Sequence, residues 1–225
     1  MAAPLAAALG ALGGWLAYAM ANSGIPARGL PALLLLPSAT LTWDFKATPP
    51  VYQVQSSIDV AAPPEQVWKY VIAFPQLPEP TEWFFHAGLA YPIRAHIDGS
   101  GPGAVRYCEF STGPFVEPIQ VWDEPRLLRF SVTENPAPMR ELTLYPNVEP
   151  KHLHGYMVSK QGQFRLTALA SGHTLLEGTT WYQHGLWPAP YWRWWSDAII
   201  HRIHLRVLNH IRDLAEQDRH ARLLP

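Results

Sequence analysis

The stretch Gln53–Trp68, QVQSSIDVAAPPEQVW, decides the fold because it joins a strand to a helix with almost no loop between them. Alternate residues form two faces of an extended segment, and one face carries Val54, Ser56, Ile58 and Val60. Pro63 and Pro64 then set φ for a first helical turn. The helix that follows has an apolar stripe formed by Val67, Trp68, Val71 and Ile72. The pattern predicts a half-buried strand and an amphipathic helix that packs back against it.

The composition is that of a globular protein with one domain and an additional segment. Of its 225 residues, 48% are hydrophobic, which is enough for a sizeable core. The net charge of -1 provides no attraction for nucleic acid, so we expect no nucleic-acid partner. Cys108 is the only cysteine and cannot form an internal disulfide. The 10 Trp and 23 Pro are typical of either an aromatic-lined surface or a core of bulky side chains.

The chain starts with an apolar segment that has no formally charged side chain. Ala2–Ala21 is mostly Ala, Leu and Gly, and as a helix it would be about 30 Å long, roughly the thickness of a bilayer core. The many small residues make it a weak span. The alternative is a cleaved secretory signal ending near Ala17-Tyr18-Ala19, but no Lys or Arg precedes the apolar stretch. We therefore predict a retained membrane anchor.

A second apolar run, Leu30–Leu41, is interrupted by proline and is too short to cross a bilayer. We expect it to lie at the membrane surface and to end at Trp43, whose ring suits the headgroup region. Arg28 and Lys46 follow the first apolar segment, so the positive-inside rule places the folded domain in the cytoplasm. The predicted organisation is an anchor and interfacial segment over 1–45, a folded domain over 51–217 and a polar tail over 218–225.

Short segments separated by turn signals predict an antiparallel meander in the folded domain. The predicted strands are Tyr91–Ile97, Ala104–Phe110, Phe115–Trp122, Leu127–Thr133, Met157–Leu169 and Thr174–Tyr182. The proline-rich segment Gln76–Phe85 predicts a loop or broken helix before them. From Tyr191 the apolar period becomes 3.6, which predicts a long final helix with its stripe facing the sheet. The stripe consists of Trp192, Trp195, Ile199, Ile203, Val207, Ile211 and Leu214.

Four features in this order resemble the START-like (SRPBCC) superfamily of polyketide cyclase/dehydrase and lipid-transport domains. They are IDVAAPPEQVW at 58–68, GSGPGAVRYCEF at 99–110, LLEGTTWY at 175–182 and the long helix after Pro188. The resemblance covers about 51–217. It implies an α+β helix-grip fold, in which a curved antiparallel sheet wraps a long C-terminal helix around a cavity for an apolar ligand. It implies no single reaction, because the superfamily includes carriers, cyclases, oxygenase subunits and regulators.

The STGP turn at 111–114 predicts a polar site in the cavity. Pairing Phe110 with Phe115 places Cys108 opposite Glu117 and makes Arg106 a diagonal neighbour of Glu117 on one face. In a cavity the two charges would pair and form a polar anchor for a ligand head group, with Cys108 beside it. On an exposed face the same pair would be a surface salt bridge of little energetic value.

The SG turn at 171–172 predicts a second carboxylate on an apolar face. Pairing Leu169 with Thr174 aligns Glu177 and Trp181 with the apolar residues of the preceding strand. Glu177 would then either line the cavity with a raised pKa or lie at its rim beside a cation such as Arg165.

Two histidine pairs have spacings that permit a shared ion. His152 and His154 lie on one side of an extended segment, and His201 and His204 on one side of the final helix. No Cys or carboxylate stands beside either pair in a recognisable ligand motif, so we expect no metal and no cofactor. Asp197, one turn before His201, predicts either an acid/base pair or a surface ion pair.

The leading hypothesis is a membrane-tethered binding or carrier domain for an apolar small molecule, such as a lipid, a quinone or a polyketide-like compound. The predicted ligand-binding residues are Arg106, Cys108, Glu117, Glu177, Trp181, Trp195, Ile199 and Ile203. One alternative is a cyclase or aromatase type of enzyme in which Arg106, Glu117 or His201 transfers a proton. Another is a noncatalytic partner of a membrane complex that docks through the Trp-rich segment His184–Trp195.

Overall fold

The computed structural model describes residues 2–22, 48–140 and 155–223. The chain divides into two units, Met1–Ala47 and Thr48–Pro225. In the first unit the described part is one helix, α1 (Ala2–Asn22). The predicted interfacial segment Leu30–Leu41 lies outside the described residues, as do Trp43, Arg28, Lys46, His152 and His154.

Helix α1 has the length and composition of a membrane span. Within the described residues, Ala3–Asn22 is the one segment long and apolar enough to cross a bilayer, and none of it is buried. Large side chains such as Leu12, Trp15 and Tyr18 are exposed along it. An N-terminal signal sequence meets the same criteria, so the helix is weak support for membrane association.

The second unit is an α+β domain built on one antiparallel sheet, which confirms the predicted helix-grip fold. Its strands are β1 (Tyr52–Val60), β2 (Pro92–Asp98), β3 (Val105–Phe110), β4 (Gly113–Asp123), β5 (Leu127–Ser131), β6 (Met157–Ala168) and β7 (Thr174–His184). They are arranged in the order β1-β7-β6-β5-β4-β3-β2. The helices are α2 (Pro64–Ile72), the short α3 (Trp83–His86) and the long α4 (Ala189–Leu223).

The strand-to-helix junction is present as predicted. Val60 is fully buried at the end of β1, and Pro63 is the N-cap of α2. Helix α2 buries Val67, Trp68 and Val71 against the inner face of the sheet. Burial of each such side chain stabilises the fold by about 1.5–3 kcal/mol.

Helix α4 packs mainly against β1, β7 and α2. It buries Ile200, Leu208 and Ile211. At Gly178 on β7, an added Cβ would lie 3.5 Å from Leu208 Cδ2, so the missing side chain lets the helix approach the strand closely. The helix continues to Leu223, through most of the segment that the sequence predicts to be a polar tail.

Both predicted turn registers differ from the observed ones. In the β3–β4 hairpin Phe110 pairs with Gly113, so the connection is two residues long and the register shifts by two. A shift of two keeps every side chain on its predicted face, because side chains alternate with period 2. In the β6–β7 hairpin Ala168 pairs with Thr174, which is a shift of one. That shift moves side chains to the opposite face.

The segment before β2 matches the predicted loop or broken helix, with the short α3 at its end. The ring of Phe85 is buried, whereas Trp83 is 69% exposed. Arg206 of α4 donates a hydrogen bond to the carbonyl of Pro78, so this segment lies beside the middle of α4.

Candidate functional site

Arg106 and Glu117 form an ion pair inside the domain. They lie directly opposite each other on β3 and β4, and Arg106 Nη1 donates a hydrogen bond to Glu117 Oε2. Arg106 is 1% exposed and Glu117 is 6% exposed, so both charges are removed from water. Such a pair is tolerated only with good geometry and further polar contacts.

Three aromatic rings surround the guanidinium group of Arg106. Its Cζ lies 5.5 Å from the ring centroid of Phe74, 5.7 Å from that of Phe130 and 5.6 Å from that of Phe164. Its Nε donates to the carbonyl oxygen of Ile72, at the end of α2, over 3.1 Å. The ring faces and the carbonyl at the helix C-terminus both favour a positive charge. Arg106 therefore links α2 to the β3–β4 hairpin.

Burial dominates the electrostatics of this cluster. Burial raises the pKa of Glu117, and the charge of Arg106 opposes that rise. Burial also disfavours the charge of Arg106, but Glu117 and Cys108 beside it leave the pKa of Arg106 above its ordinary value. Burial, followed by the charge of Glu117, raises the pKa of Cys108 to about 12. Cys108 is therefore a neutral thiol at physiological pH and is not a nucleophile.

Beyond the ion pair, the same face is apolar and partly open. Cys108 pairs with Phe115, and the rings of Phe110 and Phe115 are in edge-to-face contact with centroids 4.8 Å apart. Both phenylalanines are only partly buried although they pack against the core. Helix α4 makes its main sheet contacts with β1 and β7, at the other end of the strand order.

The predicted placement of Glu177 and Trp181 on the cavity face is wrong. With the observed register they face away from Leu176 and Gly178, which lie on the side of α4. Glu177 Oε1 accepts a hydrogen bond from Gln55 Nε2 over 2.5 Å, and its β6 neighbour in the register is Arg165. The one-residue shift follows from the turn, whose reversal begins at Ala168 instead of Leu169.

Three predicted residues on α4 lie beside the buried positions of the helix. Trp195, Ile199 and Ile203 are partly exposed, whereas the neighbouring Ser196 and Ile200 are buried. The stripe of largest burial is therefore offset by one residue in the first half of the helix. It rejoins the predicted stripe at Val207 and Ile211. The indole N–H of Trp195 is buried without a hydrogen-bond partner.

A chain of four polar side chains crosses the contact between α4 and the sheet. Ser56 Oγ on β1 lies 2.7 Å from His201 Nδ1 and 3.1 Å from His204 Nδ1. His204 Nε2 lies 2.8 Å from Thr180 Oγ1 on β7. Ser56 is buried and His201 is exposed, so the chain leads from the sheet to solvent. Sequence reasoning missed this cluster; its signals were the serine on the apolar face of β1 and the histidine spacing.

The histidines of this chain are held by hydroxyl groups, and Asp197 has other contacts. Burial, and then the charge of His201, lowers the pKa of His204 to about 4. Asp197 accepts a hydrogen bond from Tyr182 Oη over 2.6 Å and lies 3.5 Å from Arg193. The structure therefore shows a Ser56–His201 contact in place of the predicted Asp197–His201 acid/base pair. In the described part of the chain, no group of three or more His, Cys, Asp or Glu could hold a metal ion.

Comparison with known proteins places this architecture in a family. The model of the family "Polyketide cyclase / dehydrase and lipid transport" matches residues 52–182, which is more than half of the chain. The chain belongs to this family, as its resemblance to START-like domains predicted. Family membership defines a ligand-binding fold and leaves the ligand open. No curated protein sequence matches the chain.

Solved structures with a similar architecture have distant sequences. A point mutant of Thalictrum flavum norcoclaurine synthase, in complex with a transition-state analogue, is 11% identical with a TM-score of 0.49, covering 77% of this chain and 99% of its own. The ZhuI aromatase/cyclase from Streptomyces sp. R1128 is 17% identical with a TM-score of 0.47, and the match covers 75% of this chain and 95% of the ZhuI chain. Ara h 8.0201 is 13% identical with a TM-score of 0.44, and the match covers 75% of this chain and 99% of the Ara h 8.0201 chain.

Proposed function

We propose that the domain binds an apolar small molecule on the inner face beside Phe110 and Phe115, between β3–β4 and α4. The observation that carries the proposal is the partly open apolar wall of Phe110 and Phe115 in a family of ligand-binding domains. Ligand pockets in proteins are mostly apolar and contain a few convergent polar groups. A lipid, a quinone or a polyketide-like compound has the matching chemistry.

The buried ion pair would give this site a rigid polar base. Arg106 and Glu117 form the residue pair next to Cys108 and Phe115 on the same face, two residues further along each strand. Their charges are satisfied by each other and by the end of α2, so they orient the wall instead of binding a free anion. Trp195, Ile199 and Ile203 are the proposed contribution of α4. Glu177 and Trp181 leave the set because they face the other side of the sheet.

The proposal includes a membrane tether. Helix α1 is long and apolar enough to cross a bilayer, and none of its apolar window is buried. A retained span would keep the domain at the surface of the membrane, where apolar ligands concentrate. The basic residues after the helix support a cytoplasmic position for the domain.

The test is ligand binding by the full chain in lipid nanodiscs. Extraction with organic solvent and mass spectrometry should identify a co-purified apolar compound, and an apolar fluorescent probe should bind saturably and be displaced by it. Phe115→Ala should weaken probe binding several-fold through lost contact area. Trp181→Ala is the matched control, because it removes an aromatic ring from the opposite face and should leave binding unchanged. Absence of saturable binding, or equal effects of the two variants, would contradict the proposal.

The hydrogen-bonded chain of Ser56, His201, His204 and Thr180 favours a second candidate function, proton transfer on a bound ketone. A neutral imidazole held by two hydroxyl groups can accept a proton from one side and donate one on the other. Deuterium exchange at the carbon next to the carbonyl of a bound ketone would measure this activity. His204→Phe should abolish the exchange, and an unchanged rate in that variant would exclude the enzyme.

A further inference from the structure

Large exposed apolar side chains are concentrated at one end of the folded domain. In the described part of residues 48–223, five such side chains are exposed: Val51, Trp83, Tyr156, Trp187 and Trp194. Four of them lie where β1 begins, β6 begins, β7 ends and α4 begins. We name this set, Val51, Tyr156, Trp187 and Trp194, the aromatic edge. Exposed rings gathered in one region mark an interaction surface more often than scattered ones do.

Hydrogen bonds and ring contacts connect the segments of the aromatic edge. The N–H of Gly185 donates to the carbonyl of Tyr156 over 2.8 Å, and the indole N–H of Trp192 donates to the carbonyl of Trp187 over 3.0 Å. Trp194 packs edge-to-face on Trp195, with ring centroids 4.9 Å apart. These contacts fix the backbone that carries the exposed rings, so the rings are held on a rigid support.

The first unit of the chain is covalently joined to the domain at this same end. Residue 48 begins the domain, and the carbonyl of Pro49 accepts a hydrogen bond from Gln183 Nε2 over 2.8 Å. Tyr52 pairs with Tyr182 and its ring stacks on His184 at 5.2 Å. The described part of the domain therefore begins next to the aromatic edge, and the proposed tether precedes it in the sequence.

Arg193 and Asp197 form an ion pair beside the aromatic edge. The guanidinium group of Arg193 lies 4.9 Å from the ring centroid of Tyr52 and 3.5 Å from the carboxylate of Asp197. This pair carries no net charge, and among the described residues the exposed apolar surface of the aromatic edge consists mainly of indole and phenol rings. Trp and Tyr are the side chains enriched in the headgroup region, because their rings are apolar and their N–H or O–H groups remain hydrated.

We propose that the aromatic edge lies in the headgroup region of the bilayer that α1 anchors. This inference rests on the proposed membrane tether and adds the orientation of the domain to it. The contact is with lipid, and it depends on ring insertion instead of net charge, so it is insensitive to salt. Trp83 is outside this surface, because it belongs to the segment that contacts Arg206. At 1.5 Å per residue, Arg206 lies about 18 Å along the axis of α4 from Trp194.

The test is a depth measurement on the full chain in phosphatidylcholine vesicles. Single nitroxide labels are attached at Trp187→Cys and Trp194→Cys, with Trp83→Cys as the matched control because it is 69% exposed and Trp194 is 63% exposed. Cys108 does not react, since it is buried and its pKa is raised to about 12. Power-saturation spectra with oxygen and with a water-soluble nickel complex then report the surroundings of each label.

We expect the labels at positions 187 and 194 to show a several-fold higher ratio of oxygen to nickel accessibility than the label at position 83. This difference should persist at high salt. Equal ratios at the three positions would overturn the proposal. It would also be overturned if the labels at positions 187 and 194 were accessible to nickel in lipid vesicles and became inaccessible only in native membranes. That result would identify a protein partner. If Trp194→Cys fails to fold by circular dichroism, Tyr156→Cys reports the same surface.

The outcome is separable from the proposed function. Failure of the full chain to remain with the vesicles would remove the tether, and with it the docking surface, whereas ligand binding beside Phe110 and Phe115 is tested by the probe alone. The full chain could instead remain with the vesicles and bind the apolar probe while its labels at positions 187 and 194 stay accessible to nickel. That result would overturn the docking surface alone.

Discussion

Two polar clusters on the inner face of the same sheet are stabilised in different ways. Arg106 and Glu117 on β3 and β4 are charged groups with almost no exposure, enclosed by aromatic rings. Ser56 and Thr180 on β1 and β7 are neutral hydroxyl groups bonded to two histidines of α4, one of which reaches solvent. The comparison shows that a charge buried in this core needs an opposite charge, whereas a neutral chain can end in water.

The largest effect is expected from separating the charged cluster. Arg106→Met or Glu117→Gln alone should lower the free energy of unfolding by about 3–5 kcal/mol, because each leaves a buried group without its partner. The combined variant should cost much less than the sum of the two. Denaturant unfolding of the three variants measures this coupling. Additive effects would show that the two side chains act independently.

A smaller effect is expected when the neutral cluster is charged by acid. The pKa of His204 is lowered to about 4 in the folded protein, so the unfolded state binds more protons between pH 6.5 and about 4. The contribution of neutral His204 to the free energy of unfolding should therefore be fully present above pH 6.5. It should fall by about 2–3 kcal/mol as the pH decreases to 4. Burial lowers the pKa of His210 as well, which adds a contribution of the same sign.

The contribution of His204 is isolated by substitution. Thermal unfolding across this pH range should show a shallower decrease for His204→Gln than for the unmodified chain. His220→Gln changes an exposed histidine near the end of α4 and serves as the control. Equal slopes for the unmodified chain and His204→Gln would contradict a neutral, buried His204.

A still smaller loss is expected from disturbing the rings around Arg106. An added Cβ at Gly162 would lie 2.5 Å from the ring of Phe130, one of the three rings over the guanidinium group. Gly162→Ala should destabilise the fold by about 1–2 kcal/mol through overpacking. Gly185→Ala is the control, because its nearest contact would be an ordinary 3.9 Å to Tyr156. Equal stabilities in chemical denaturation would mean that the ring moves freely.

The smallest effect is expected at an exposed pair in the neighbouring hairpin. Arg94 on β2 donates two hydrogen bonds to Glu109 on β3, over 2.7 and 3.0 Å, in geometry as favourable as that of the buried pair. Solvent screens these charges, so Arg94→Gln should leave the unfolding midpoint unchanged within error. A loss comparable to that of Arg106→Met would show that burial is not what distinguishes the two pairs.

The two hairpins show how far turn residues predict a register. The STGP turn led to an error of two residues, so Arg106 and Glu117 were still predicted to share a face and to pair. The SG turn led to an error of one residue, so Glu177 and Trp181 were assigned to the wrong face. The error was small in both cases, but period-2 alternation makes odd shifts decisive and even shifts harmless.

Local patterns by themselves determined the junction of β1 and α2, the apolar α1, the long final helix and the family resemblance. Each depends on residues close together in the chain, where proline, apolar period and segment length act directly on the backbone. The Ser56–His201 contact joins positions 145 residues apart. The rings over Arg106 come from Phe74, which follows α2, and from β5 and β6. Only the tertiary structure decided these, because they depend on strand register and on the rotation of α4 against the sheet.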